Sequence, residues 1–205
     1  MFFYFQKIFI IFLMFVVICF MGVTFSFNSM DMNDTSLLEE GISKYIFSNS
    51  GLIWPTPGYT TITSYFGYRK SPISGASSYH NGIDIGTPSG SEIIAAFSGQ
   101  VTYIGFYGAG GYTVQISDGY YTANYSHISP YFLVYVNQAI NQGDVIATVG
   151  PKNVYGVPNN KYKDSKGNPT NGATTGPHLH FSLYINGKSV NPLSYLPYWQ
   201  KIIYY

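Results

Sequence analysis

The chain has 205 residues, enough for one domain with a core of its own and a short appendage. Net charge is +1 and only 9% of residues are charged, so no overall field marks nucleic acid as a partner. With 21 tyrosines and few charges, surface polarity has to come largely from Tyr, Asn, Ser, Thr and Gly.

The first element is a run without charge from Ile8 to Phe27, bounded by Lys7 and Asn28. A helix crosses a bilayer core with roughly 20 apolar residues, so residues 1–27 are predicted to form an N-terminal transmembrane anchor. Lys7 precedes the run, and Asp31, Asp34, Glu39 and Glu40 follow it. That asymmetry orients a single-pass protein with its N-terminus inside and its remainder extracellular at the cell membrane. The alternative is a cleaved signal peptide and a secreted product. Thr24 and Ser26 offer small residues for a cut, although a signal's apolar region is shorter, roughly 7–15 residues. Cys19, the only cysteine, lies inside this run, so the exported part is expected to lack disulfides and thiol chemistry.

Residues 28–50 read as a linker. Leu38, Ile42, Tyr45 and Ile46 recur at helical spacing there and predict one short helix. From residue 51 to 200 the texture is different. "TTITSYFGY", "GQVTYIGF", "GYTVQIS", "YYTANYSHI", "GDVIATVG" and "HLHFSLYI" are short runs rich in β-branched and aromatic residues, separated mostly by Gly, Asn, Pro or Asp-Gly. Val114 and Ile116 alternate with Thr113, Gln115 and Ser117, the pattern of a half-buried strand. An all-β, compact antiparallel domain over 51–200 follows, with a tail at 201–205. "GFYGAGGY" at 105–112 does not fit a dinucleotide fingerprint and precedes no helix, so it is a strand connection rather than a phosphate cradle. Residues 152–173 are turn-forming throughout. A loop beyond roughly 12–15 residues is uncommon in a compact domain, and this one leads directly into "TTGPHLHF", so it is expected to border a site.

The last long run sets apolar Leu179, Phe181, Leu183 and Ile185 against His178, His180, Ser182 and Tyr184. Successive strand residues face opposite ways, so two of the four histidines share a polar front above an apolar back. His80 and Asp84 stand four apart in "HNGIDIGTPSG", and His127 ends "ANYSHI". A catalytic zinc takes three protein ligands of imidazole or carboxylate type and keeps one position open. Four imidazoles and Asp84 exceed that need by two, and spacing does not say which two.

The blocks "WPTPGYTTITSYFGYR", "HNGIDIGTPSGSEIIAAFSGQVTYIG", "GGYTVQI", "YSHIS", "GDVIATVG", "TTGPHLHF" and "VNPLSYL", in this order, resemble the lysostaphin/LytM-type zinc metallopeptidases. These are peptidoglycan endopeptidases built on the duplicated hybrid motif. The resemblance implies Zn2+ as cofactor, His80, Asp84 and His180 as its ligands, and His127 and His178 as catalytic histidines. It implies His178 in proton transfer and His127 on the developing oxyanion, with the principal base left open between them. The implied activity is hydrolysis of peptide crosslinks of bacterial peptidoglycan outside the membrane. The alternative is a non-catalytic or latent LytM-like scaffold with a protein partner in a wall complex; such relatives commonly lack a zinc ligand, and this chain lacks none. It departs from the family at Ser182, where glutamate is frequent, at Asp118-Gly119, where His-Gly is frequent, and in the length of 152–173.

Overall fold

A computed structural model describes residues 51–71 and 77–197. The predicted anchor, the linker helix and the 201–205 tail lie outside the described residues. The strands, in chain order, are β1 (Ile62–Ser64), β2 (Gly67–Tyr68), β3 (Tyr79–His80), β4 (Ile83–Ile85), β5 (Glu92–Ile94) and β6 (Gly99–Phe106). They continue with β7 (Tyr112–Ser117), β8 (Tyr121–Ser126), β9 (Ala139–Ile140), β10 (Val145–Thr148), β11 (Leu179–Ile185) and β12 (Lys188–Val190). The domain is all-β, as its sequence texture predicts.

The large sheet runs β1-β4-β11-β8-β7-β6-β9, with β12 also paired to β11, and every pairing in it is antiparallel. β8 follows β11 from His180 to Ile185, while β4 and β12 share the opposite edge, β4 along Leu179–Phe181 and β12 along Leu183–Ile185. Two small sheets, β10-β5 and β2-β3, complete the domain.

The back of the large sheet is apolar because alternate residues point there. Leu179, Phe181, Leu183, Ile83, Ile85, Val114, Ile116, Ala123 and Tyr125 are all fully buried in one core with Ile93 and Ile146. Ile185, the fourth residue of the predicted back, is only half-buried at the strand's end. Each fully buried Leu or Phe stabilises the fold by roughly 1.5–3 kcal/mol, enough to hold β11 rigidly in the middle of the sheet. Phe181 meets Tyr125 edge to face at 5.2 Å, and the Tyr125 hydroxyl accepts from the Ala96 amide at 2.8 Å, which fastens the sheet to the segment after β5.

The front carries polar rows. Directly opposed residues face the same way, so Ser64, Asp84, His180, Ser126 and Thr113 line up across β1, β4, β11, β8 and β7. A second row behind it consists of Ser182, Asn124 and Gln115.

Candidate metal centre

His80 and Asp84, four residues apart, lie not on one helix turn but on two strands, β3 and β4, joined by Asn81-Gly82. A Cβ at Gly82 would sit 2.4 Å from the Phe181 carbonyl oxygen, so glycine is what lets this turn close against β11. Asp84 then stands opposite His180 in register.

The result is a triangle of donor atoms. His80 Nε2 lies 2.9 Å from His180 Nδ1 and 3.1 Å from Asp84 Oδ1, and His180 Nδ1 lies 2.8 Å from the same oxygen. His80 Nδ1 donates to the Tyr65 carbonyl at 2.8 Å, so its Nε2 is a bare lone pair aimed at the other two donors. Such crowding of acceptors calls for a cation between them. Two imidazole nitrogens and one carboxylate oxygen within 4.8 Å of one another form a set that can hold a metal ion, and its chemistry suits zinc.

Asp84 is oriented by Arg69, whose Nη1 donates to Oδ2 at 3.1 Å and leaves Oδ1 to the triangle; Ser64 also accepts from the same nitrogen. Burial opposes ionisation of Asp84, yet the imidazoles of His178, His180 and His80, when protonated towards it, outweigh burial and hold the carboxyl far below its usual range. His180 moves the other way: burial pushes its pKa below the ordinary value, against the pull of Asp84.

The other two histidines adjoin this triangle. His178 stands one residue before β11, and its Nε2 lies 3.5 Å from Asp84 Oδ1. His127 follows β8 directly, with its ring 4.7 Å from that of His178 and 6.0 Å from that of His180. His178 Nδ1 donates to the Gly176 carbonyl at 2.9 Å, and His127 Nδ1 to the Asn171 carbonyl at 2.7 Å. A carbonyl only accepts, so both rings carry their proton on Nδ1 and present Nε2 as a base. Burial, with His178 and His180 alongside, depresses the pKa of His127 well below the ordinary imidazole value, so it is neutral at pH 7. Its backbone has φ of 59°, a conformation a non-glycine residue adopts only when its surroundings enforce it. The enforcing bonds are His127 N to Gly110 O at 2.8 Å and Gly150 N to His127 O at 2.9 Å.

All five residues open into one cleft of about 420 Å3. Tyr79 and Tyr107 line it, whereas Tyr125 belongs to the core and Tyr103 meets Tyr107 edge to face at 5.4 Å. Of the 152–173 segment Ala173 lines the cleft, and Asn171 supports His127 through its carbonyl.

Several residues around these five carry no sequence signal. Arg69 reads as an ordinary strand-end cation and Asn171 as one more turn residue among many. Asn171 is fully buried, with Oδ1 accepting from the Tyr112 amide at 2.8 Å and Nδ2 donating to the Ile128 carbonyl at 2.9 Å.

Comparison with known proteins follows the same outline. Over 138 residues, 66% of this chain, the sequence is 36% identical to the DD-carboxypeptidase/endopeptidase Mpg of Neisseria meningitidis serogroup B, a match spanning 27% of that protein. It is 33% identical over 146 residues, 70% of this chain and 31% of the relative, to the murein hydrolase activator NlpD of Escherichia coli. The crystal structure of a zinc containing peptidase from Vibrio cholerae superposes with a TM-score of 0.54 at 28% identity, covering 68% of this chain and 38% of the other. The chain thus spans about a quarter to two fifths of the length of these relatives. Residues 78–192, more than half of the chain and inclusive of all five site residues, match the profile of Peptidase family M23, and the chain belongs to that family.

Proposed function

We propose that this chain is a zinc-dependent endopeptidase that hydrolyses peptide crosslinks of peptidoglycan on the outer side of the cell membrane, held there by residues 1–27. The single observation that carries the reading is the complete donor triangle of His80, Asp84 and His180 with two Nδ1-protonated imidazoles at its side. Family membership alone does not decide between cutting and activating, since the 33% identical NlpD is named a murein hydrolase activator. The intact triangle favours cutting.

In this reading His80 Nε2, Asp84 Oδ1 and His180 Nδ1 hold the ion. Zinc bound there supplies a Lewis acid that polarises the scissile carbonyl and acidifies water. His178 Nε2, bare because Nδ1 keeps its proton against Gly176, accepts the proton of the attacking water and returns it to the departing amine. His127 in its neutral form also offers a lone pair, so it donates to an oxyanion only after it has itself taken up a proton. Arg69 keeps the Asp84 carboxylate turned towards the triangle.

The test is metal content followed by wall digestion. The full chain should bind about one zinc per molecule, and His180→Ala should lose it. Purified wall incubated with the chain should release new amino termini. A chelator should abolish that release, and His178→Ala should slow it while retaining zinc. Equal zinc in wild type and His180→Ala, or release that persists under chelation, would remove the basis of the proposal.

A further inference from the structure

The second polar row on the sheet's front has no part in holding the triangle, yet it opens into the same cleft. Ser182 is 1% exposed, lines the cleft, and its Oγ makes no hydrogen bond among the described residues. A hydroxyl that reaches the cleft with no protein partner is open to a ligand or water. Asn124 stands opposite it in register and is 8% exposed. Its Oδ1 is occupied, accepting from Gln115 Nε2 at 2.8 Å, and Gln115 Oε1 in turn accepts from Thr102 Oγ1 at 2.8 Å. In this arrangement the carboxamide turns its oxygen to Gln115 and leaves its NH2 without a protein partner. The row therefore offers two donors, the Asn124 amide and the Ser182 hydroxyl, at one place on the cleft floor.

The place is defined relative to the donor triangle. Ser182 follows His180 by two residues on the same strand face, about 6.6 Å at the strand rise of about 3.3 Å per residue. An extended peptide laid along β11 turns every second carbonyl the same way, so the carbonyl two residues from the one facing the triangle meets these donors. The neighbouring cleft residues, Asn81, Ser126 and Tyr184, are uncharged, which selects a neutral amide oxygen over a carboxylate.

The geometry points to Ser182 and Asn124 as a subsite that binds the backbone carbonyl of an extended peptide two residues from the scissile bond, with Gln115 and Thr102 as positioning residues. It rests on the reading of the cleft as a wall-peptide site. It makes the protein an endopeptidase that requires chain continuing beyond the cut, rather than an enzyme that trims a terminal residue.

Binding and cutting are separable in the test. In the zinc-loaded full chain carrying His178→Ala to slow turnover, calorimetry is run with a crosslinked wall-peptide dimer and with the matching uncrosslinked peptide ending in a free carboxylate. Ser182→Ala should weaken the dimer by about 5–10-fold and leave the uncrosslinked peptide unchanged. Asn124→Asp keeps the bond from Gln115 but replaces the donor with an acceptor, and should weaken the dimer at least as much. Unchanged dimer affinity in both variants, or an equal loss for the two peptides, overturns the subsite. If Ser182-dependent binding is seen but the wild-type chain releases no amino termini, the subsite stands and the hydrolytic reading falls. The reverse pattern removes the subsite alone.

Discussion

The carbonyl oxygen of Asn171 lies 2.7 Å from His127 Nδ1, so a residue near the end of the 152–173 loop also decides which nitrogen of His127 faces the cleft. The same residue gives its side chain to the Tyr112 amide and the Ile128 carbonyl. Asn171→Ala keeps the main-chain contact but orphans two buried backbone groups. The expected loss is about 2–4 kcal/mol of stability, read from the urea midpoint at unchanged slope. An unaltered midpoint would show that water replaces the carboxamide freely.

A second prediction concerns the other side of that carboxamide. A Cβ on Gly150 would fall 2.2 Å from the Ile128 carbonyl oxygen and 2.6 Å from Asn171 Nδ2. Backbone cannot yield there as a side chain would. Gly150→Ala should therefore cost at least roughly 1–3 kcal/mol and lower the melting temperature. Melting at the wild-type temperature would contradict the packing described.

Arg69 acts on the metal centre through Asp84. Arg69→Met retains much of the side-chain volume and removes the donor to Oδ2. Zinc affinity should fall roughly 10–100-fold, with the fold intact by circular dichroism, in competition against a chelator of known affinity. Full retention of affinity would mean that the β4–β11 pairing alone orients the carboxylate.

The 152–173 loop has its own pH dependence. Asp164 Oδ1 accepts from the Lys166 and Asn168 amides at 3.0 and 2.9 Å, and Oδ2 from Asn153 and Asn168 side chains at 3.3 and 3.2 Å. Burial pushes its pKa up, but these hydrogen bonds outweigh that and hold it below the ordinary carboxylate value. A depressed folded-state pKa contributes stability above the unfolded value of about 3.9 and loses it as pH falls towards the folded one. Wild type should thus protect loop amides from hydrogen exchange better than Asp164→Asn at pH 7. That advantage should shrink below pH ~4. A gap that stays constant with pH would remove Asp164 as its source.

Much of this was legible before any coordinates. Six runs of β-branched and aromatic residues contain β1, β2, β6, β7, β8, β10 and β11, because such composition between turn residues marks strands. β4 is not marked in this way. Its three residues, Ile83, Asp84 and Ile85, alternate, but three positions are too few to mark the strand that supplies a donor to the triangle. The H-x-H and H-x-x-x-D spacings single out His178, His180, His80 and Asp84 by their chemistry, but which of them share a triangle depends on register between β4 and β11, a property of two distant segments. Asn171 was invisible for a different reason. Among Gly, Asn, Pro and Thr neighbours nothing in its type distinguishes a solvated turn from a fully buried tie.

The left-handed backbone at His127 has a practical consequence for mutagenesis. Alanine there removes the imidazole and also places a residue with little tolerance for that torsion at the junction of two main-chain bonds. Asparagine and glycine accept the torsion readily. A His127→Asn protein therefore isolates the contribution of the ring, whereas an alanine scan entangles it with the shape of the chain around residues 110 and 150.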